Sequence, residues 1–193
     1  SITKIDCDLL CVSGGYTPAV HLFTQSGGKL LYNENKSYFY PGKNSLEQIS
    51  IGSCTGIFNI KKIIDDTYTK VNEFLKMNIK NDTLVSDMKS GYFKNIWLIP
   101  SNKVTGKTKS FVDFQNDSTA NDIKLALREG FKSIEHVKRY TTTGMATDQG
   151  KIANMHALGI ISEHTKTKMG ELGTTTFRPP YTPLTFGALV GRN

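Results

Sequence analysis

The strongest constraint on the fold is a series of short helical segments in the second half of the chain, marked by polar residues or glycine at their ends. A serine or threonine before a helix accepts a hydrogen bond from a free backbone N–H, and glycine adopts the left-handed conformation that ends a helix. The segments predicted on this basis are Ser118 or Thr119 through about Glu129 with Gly130 after it, Ser133 to a stop at Gly144, and about Lys151 to His164. Residues 110–172 are therefore predicted to form a small all-α domain.

The first 78 residues show a different pattern, in which short apolar runs alternate with glycine-containing turns. The predicted strands are residues 8–13, 29–32, 38–40 and 48–51, of which the second and third form a hairpin. The first is predicted to be a buried strand of a parallel sheet, because it is almost continuously apolar. Apolar residues then recur at intervals of three and four from 57 to 76, which predicts an amphipathic helix packed on the sheet. Residues 1–78 are thus predicted to be an α/β segment.

Two further segments lack helical spacing. Residues 79–109 are rich in Asn, Lys, Ser, Thr and Gly, and predict a linker with one anchored strand at 96–100. Residues 173–193 contain three prolines between 179 and 183. Because proline disrupts a helix, this tail is predicted to be an extended strap lying over another surface.

Composition and charge argue against several classes of protein. The chain has a net charge of +7, but its lysines are scattered and do not alternate with aromatic residues, which disfavours nucleic acid as a partner. Its 38% of hydrophobic residues include no apolar run of the ~20 residues that a membrane span needs, and no secretion signal is recognised. Three cysteines, Cys7, Cys11 and Cys54, predict buried thiols in a reducing compartment. We therefore expect a cytoplasmic protein without membrane contact.

Glycines at two predicted strand ends could bring the backbone close to a ligand. They lie in VSGGYTP (12–18), which includes Gly14 and Gly15, and in SIGSCTG (50–56), which includes Gly52. Glycine permits close approach, and a helix start leaves N–H groups free for phosphate or ribose oxygens. Each segment alone is more typical of an ordinary tight turn.

The order of these elements resembles the closing section of the flavoproteins that have two dinucleotide-binding domains. That resemblance implies a Rossmann-like FAD- or NAD-binding region of which residues 1–78 are the C-terminal part. The family usually has an aspartate after the second glycine, facing cofactor hydroxyl groups, and Ser53 stands there in this chain. The Gly-Xaa-Gly-Xaa-Xaa-Gly fingerprint is expected to precede residue 1.

The helical segment gives a more specific signal. The motifs TANDI (119–123), EGFKSIEHVKRYT (129–141) and GMATDQGK (144–151) resemble the domain related to bacterioferritin-associated ferredoxin, which binds a [2Fe-2S] cluster through four cysteines. By that resemblance the ligand positions are Asp113, Gln115, Asp148 and Ala153. Because none is cysteine, we expect a scaffold without an iron–sulfur cluster.

This cysteine-free version, with FVDFQND (111–117) before it and GTTTFRPP (173–180) after it, resembles the alpha subunits of the heterotetrameric sarcosine oxidases. HLFTQSGGKL (21–30) is also similar to them. The resemblance implies oxidation of sarcosine to glycine with transfer of the one-carbon unit to tetrahydrofolate. It also implies NAD where relatives hold FAD, covalently attached FMN between the alpha and beta subunits, and beta, gamma and delta subunits as partners. The chain is then expected to be part of a subunit whose folate-binding domain follows residue 193.

Two sets of candidate cofactor-binding residues follow. Those expected at the NAD site are Gly14, Gly15, Gly52, Ser53, Cys54, Phe58 and Ile60. Those expected to seat FMN at the subunit interface are Thr142, Thr143, Lys151, Thr176 and Arg178, since hydroxyl groups and cations bind phosphate. Lys138 and Arg139 could join the threonine clusters in this role, although solvation of helix ends and loops explains the clusters equally well.

No catalytic residue or metal ligand is recognised. The histidines His21, His136, His156 and His164 lack an identifiable catalytic partner, and no hydrolase or kinase motif occurs. The chain is therefore expected to be part of a multi-subunit oxidoreductase and not to be catalytic on its own. The alternative hypothesis is a non-catalytic interaction module on a cluster-free ferredoxin-like scaffold, and a third is an iron–sulfur electron carrier.

Overall fold

The computed structural model describes residues 3–11, 14–44, 46–86, 95–99 and 109–192. Among these residues the helices are α1 (His21–Gln25), α2 (Ile60–Leu75), α3 (Ala120–Arg128), α4 (Ile134–Thr141), α5 (Ala153–Thr165), α6 (Met169–Leu172) and α7 (Phe186–Val190), with a 3-10 helix at Gly52–Thr55. The strands are β1 (Leu30–Asn33), β2 (Tyr38–Pro41), β3 (Phe111–Asp113) and β4 (Ser118–Thr119). In the described part of the chain, no helix has the length and apolar character needed to cross a membrane.

The predicted hairpin near the N-terminus is confirmed. Strands β1 and β2 pair antiparallel, with Tyr32 opposite Phe39. The rings of these two residues lie 4.9 Å apart between centroids, and such cross-strand aromatic pairs stabilise a sheet. Phe39 is buried, so one end of the hairpin is fixed to the hydrophobic core.

The core is formed by α3, α4 and α5 together with the hairpin. Ile123, Leu158 and Ile161 are fully buried at its centre. The core residues are Phe39, Val112, Ala120, Ile123, Ala126, Ile134, Val137, Ala153, Ala157, Leu158, Ile160, Ile161 and Met169. The β1–β2 hairpin and the helical segment therefore share one hydrophobic core.

The predicted helices are confirmed with boundaries close to those expected. Thr119 caps α3 in a capping box, in which its side chain accepts a hydrogen bond from the Asp122 N–H while the Asp122 carboxylate accepts one from the Thr119 N–H. Gly130 follows α3 with φ of +97°, as expected for a residue that ends a helix. The segment is not purely helical, however, because the β3–β4 hairpin begins it. The prediction of an all-α domain was incomplete, since strands this short have no apolar alternation.

Two of the predicted strands in the first region are wrong. Residues 8–11 form no strand, and Leu9 and Leu10 are 77% and 76% exposed, whereas Val12 and Ser13 lie outside the described residues. Residues 48–51 are also irregular. A buried parallel strand needs hydrogen-bonding neighbours on both sides, and in the described ranges both sheets are two-stranded and antiparallel.

The long helix of the first region is confirmed as Ile60–Leu75, beginning slightly later than expected. Its start is set by Asn59, whose side chain accepts a hydrogen bond from the Lys62 N–H. In the described part of the chain its main contact is with the 3-10 helix at Gly52–Thr55, and none of its residues is fully buried. The expectation of a helix packed on a sheet was therefore wrong. The prediction of buried thiols was also wrong, because Cys7 and Cys11 are exposed and Cys54 is partly exposed.

The expected anchor in the linker is present at Trp97, which packs against the core beside Gly159. Residues 95–99 form no strand, and Pro100, which ends the predicted one, lies outside the described residues. The tail has neither helix nor strand from Gly173 to Thr185, but Phe186–Val190 form α7, so the prediction of an extended strap over 173–193 was wrong there. Residues 173–185 are called the strap below. Thr175 and Phe177 are buried, so the strap does lie over another surface.

Candidate functional site

A groove of about 680 Å³ lies between the end of α4 and the strap. One wall follows α4, which ends at Thr141, and continues through the turn that begins at Gly144. The other wall is the strap. The residues lining the groove are Glu135, Lys138, Arg139, Gly144, Met145, Ala146, Thr147, Gln149, Thr176, Arg178, Pro180 and Pro183. Its volume is within the range of about 300–1,000 Å³ typical of small-molecule sites.

The charges around this groove are mainly positive. Lys138, Arg139 and Arg178 provide three cations, and Glu135 provides one carboxylate. The carboxylate is already engaged, because it accepts a hydrogen bond from the Thr176 N–H and its second oxygen lies 4.0 Å from the Lys138 ammonium. The two arginines are exposed and remain available to an anion.

The residues predicted to seat FMN are only partly brought together. Thr176 and Arg178 line the groove. Thr142 is exposed in the left-handed conformation after α4, with φ of +59°. Thr143 is buried, and its hydroxyl group lies 2.8 Å from that of Thr141, so it supports the turn from inside and does not face the groove.

Lys151 holds the strap instead of lining the groove. Its ammonium group donates a hydrogen bond to the Tyr181 carbonyl oxygen at 2.7 Å and lies 4.5 Å from the centre of the Tyr181 ring. Gln149 supplies a second contact, with its side-chain N–H donating to the Pro180 carbonyl oxygen at 2.9 Å. The two residues therefore fix the part of the strap that forms the wall.

The strap also covers His21, the first residue of α1. The imidazole ring lies 3.9 Å from the Phe177 ring and 5.7 Å from the Tyr181 ring between centroids. Neither ring nitrogen has a hydrogen-bond partner among the described residues. Burial, with a smaller contribution from the positive charge of Lys151, lowers the pKa of His21 to about 4. His21 is therefore neutral near pH 7 and acts as an aromatic surface under the strap.

Three of the four positions implied as cluster ligands make hydrogen bonds through their side chains. Asp113 accepts a hydrogen bond from the Gly144 N–H, and Gln115 accepts one from the Thr147 hydroxyl group. Asp148 accepts one from the Gly150 N–H. Ala153 is buried in the core. These contacts tie the β3–β4 turn to the loop that follows α4.

The residues predicted at the NAD site surround the 3-10 helix and the start of α2. Gly52 is buried with φ of +78°, and Ser53 is exposed. The Cys54 thiol and the Thr55 hydroxyl group bond to the carbonyl oxygens of Ile51 and Gly52. Of this turn's side chains, Ser53 is the best placed to meet a ligand.

The remaining residues of that set lie on exposed surface. Gly14 and Gly15 are exposed, and the ring of the next residue, Tyr16, lies 6.4 Å from the Phe58 ring. Phe58 in turn lies 6.1 Å from Tyr38, whose hydroxyl group donates to the Gly56 carbonyl oxygen at 2.8 Å. Ile60, the first residue of α2, is also exposed. The two glycine-containing segments thus meet through aromatic contacts.

The sequence offers little or no indication that some residues of the groove would lie there. Lys138 and Arg139 stand near the threonine cluster, and their place on the groove wall follows from the turn of α4. Glu135 and Gln149 gave no sequence indication. His21 precedes Phe177 by more than 150 residues, so only the folded chain shows that they stack.

The fold is shared with a solved oxidoreductase. The crystal structure of L-proline dehydrogenase from P. horikoshii matches 92% of this chain with a TM-score of 0.64, and the match covers 38% of that chain. Sequence identity is 17%, so the likeness establishes the fold alone. The chain therefore has the fold of a segment of that structure.

Sequence relatives define the family. Residues 107–192 match the family model of the sarcosine oxidase A3 domain. The sarcosine oxidase alpha subunits of Corynebacterium sp. (strain P-1) and Rhizobium meliloti (strain 1021) are 35% and 36% identical over 98% and 97% of this chain. The chain belongs to the sarcosine oxidase alpha subunit family, which confirms the resemblance found in the sequence. It spans 20% and 19% of the length of these two relatives.

Proposed function

We propose that this chain provides the alpha-subunit wall of an FMN site at a subunit interface of a multi-subunit sarcosine oxidase. The groove between α4 and the strap carries this proposal, because three cations surround a cavity of suitable volume. In the intact enzyme, FMN would supply the electron-accepting chemistry of sarcosine oxidation. The one-carbon unit would pass to tetrahydrofolate, on a domain outside this chain. We place the enzyme in the cytoplasm.

The chemistry of the groove fits a flavin nucleotide. Arg139 and Arg178 can bind the phosphate group, since guanidinium groups bind phosphate with two parallel hydrogen bonds. Met145, Pro180 and Pro183 supply apolar surface for a flat ring system. The groove is open on one side, so a partner subunit would have to cover the cofactor. We propose that the beta subunit does so, within an assembly that also contains gamma and delta subunits.

We also propose that residues around Gly52 contact NAD. Ser53 is exposed at the start of the 3-10 helix, and Phe58 and Tyr16 present neighbouring aromatic rings. Hydroxyl and aromatic groups suit the ribose and adenine parts of a dinucleotide. The pyrophosphate-binding strand and turn would be supplied by sequence outside this chain, so the chain alone is expected to bind NAD weakly.

The FMN proposal is tested in the full-length alpha subunit, assembled with its partner subunits, by replacing Arg178 with alanine. Covalent attachment follows a reversible binding step, and loss of one charge-assisted phosphate contact should weaken that step. The FMN concentration that gives half the maximal rate of incorporation into the FMN-free complex should therefore rise about tenfold. Arg128→Ala is the matched control, because Arg128 is exposed at the end of α3, away from the groove.

The expected pattern is weaker FMN binding in Arg178→Ala, unchanged NAD content, and wild-type behaviour in Arg128→Ala. If Arg178→Ala and Arg139→Ala both bind FMN as the wild type does, the groove does not hold the cofactor. Its remaining role would then be contact with a partner subunit.

A further inference from the structure

Asp113, at the end of β3, is a carboxylate buried within the protein with 4% of its surface exposed. One oxygen accepts hydrogen bonds from the N–H groups of Gln115 and Asn116, at 2.9 and 3.1 Å. The other accepts a bond of 2.7 Å from the N–H of Gly144. Backbone donors therefore satisfy both oxygens, and bonds to an ionised acceptor are about twice as strong as neutral ones.

The bond to Gly144 joins two segments that are distant in sequence. Gly144 begins the loop 144–147, which forms one wall of the groove. Two neighbours of Asp113 make further bonds here. Gln115 accepts one from the Thr147 hydroxyl group of this loop, and the Asn116 side chain donates one to the carbonyl oxygen of Thr142, just before the loop, each at 3.0 Å. The β3–β4 turn thus supports this wall from behind.

Gly144 also links this support to the other wall. Its φ is +73°, and a Cβ atom there would lie 2.4 Å from the side-chain oxygen of Asn154. Asn154 donates a hydrogen bond of 2.9 Å to the hydroxyl group of Thr175 in the strap. A displacement of Gly144 would therefore disturb the strap as well as the loop, because Asn154 is in contact with both.

We infer that Asp113 is the positioning residue for the groove, fixing the loop 144–147 through Gly144 so that the two walls keep the separation that FMN requires. This inference rests on the proposed FMN site. Asp113 lies behind the wall and does not line the groove, so its effect on the cofactor is transmitted through the backbone of Gly144. Replacing it with asparagine keeps its size but removes its charge and places an N–H₂ group where one acceptor oxygen stands.

The test uses the full-length alpha subunit assembled with its partner subunits and compares Asp113→Asn with Asp117→Asn. Asp117 is a matched control, because it lies exposed in the same turn with φ of +53°, a conformation that asparagine also tolerates. The readouts are the FMN concentration that gives half the maximal rate of incorporation (the FMN requirement), the visible absorption band of bound FMN, and the melting temperature of the complex.

For Asp113→Asn we expect the FMN requirement to rise about tenfold and the flavin band to shift. Gln115→Ala, an exposed change that removes only the bond to Thr147, should raise the FMN requirement about threefold, the equivalent of one weak hydrogen bond, without changing the melting temperature. Asp117→Asn should resemble the wild type in all three measurements.

Normal FMN binding by Asp113→Asn, or a lower melting temperature with an unshifted band and unchanged FMN requirement, would overturn the positioning role. If Asp113→Asn does not assemble, Gln115→Ala decides: wild-type FMN binding in that variant overturns the inference. The proposed function is judged separately, since it fails only when Arg178→Ala and Arg139→Ala leave FMN binding unchanged. In that case there would be no FMN site in the groove for Asp113 to position, and the inference about Asp113 would be wrong as well.

Discussion

His21 should make the stability of this chain fall at mildly acidic pH. It is 8% exposed, and its folded-state pKa is about 4, lowered from 6.5 by burial and by the positive charge of Lys151. Between these two pH values the unfolded chain binds a proton on His21 and the folded chain does not. Stability is therefore lost as the pH falls from about 6.5 toward 4, and His21 has no such effect above pH 7.

The magnitude follows from the difference between the two pKa values. At pH 4.5 the unequal protonation of His21 should lower the free energy of unfolding by about 2 kcal/mol relative to pH 7. The groups facing the imidazole are the Lys151 ammonium and the rings of Phe177 and Tyr181. Neither ring nitrogen of His21 has a hydrogen-bond acceptor among the described residues, so protonation should favour release of the strap.

The assay is urea unfolding of the 193-residue chain at pH 7 and pH 4.5, comparing the wild type with His21→Phe. Phenylalanine keeps an aromatic ring against Phe177 and cannot be protonated. Because carboxylates titrate in both proteins, the difference between them isolates His21, and it should change by about 2 kcal/mol between the two pH values. Parallel curves for His21→Phe would show that His21 is not desolvated by the strap.

Two further predictions concern the local structure around the core. Thr119→Ala should lower the free energy of unfolding by about 1 kcal/mol, because it removes the capping box of α3. Ser133→Ala should lower it by less than half as much, since Ser133 makes no side-chain cap bond. Equal effects of the two substitutions in urea unfolding would contradict this prediction. Gly159→Ala should shift the fluorescence of Trp97, the sole tryptophan, toward that of an exposed indole, because the new Cβ would lie 2.2 Å from its ring. Gly187→Ala, where nothing lies within 4 Å, should leave the emission unchanged, and an unshifted spectrum for Gly159→Ala would place Trp97 elsewhere.

The helices could be predicted from the sequence because the interactions that bound them are local. The capping box of α3 joins residues three apart, and Gly130 ends the helix through its own backbone conformation. The hairpin was predictable for the same reason, since an Asn-rich turn separates its strands. Boundaries differed by a few residues where a polar side chain such as Asn59 selected the start of the helix.

The strands predicted at 8–11 and 48–51 failed because a strand depends on a partner that the local sequence does not specify. An apolar run such as Asp8–Cys11 satisfies the composition of a buried strand, yet its backbone groups need neighbours to bond with. Composition misled in the same way for Cys7 and Cys11, which are exposed. Burial is a property of the surrounding chain as much as of the residue.

Only some residues of the candidate groove could be predicted from the sequence, for a related reason. Thr176 and Arg178 have the chemistry of a phosphate site and do line the groove, whereas Thr143 and Lys151 have the same chemistry but are used to hold the turn and the strap. Residue type indicates what a side chain can bind. Which group it does bind depends on contacts across 30 or more residues, as between Lys151 and Tyr181.

These contacts also explain how a groove can be built on a surface with little secondary structure. The strap has no strand partner among the residues that the structure describes. Its position therefore depends on side chains from separate elements: His21 of α1 beneath it, Lys151 before α5, and Asn154 within α5. Each contact is modest, but all three fix neighbouring points on a segment stiffened by proline. The β3–β4 turn fixes the opposite wall through Asp113. The separation of the walls is therefore set by the shared packing of the N-terminal and helical segments, and a change in either should alter the groove before it unfolds the core.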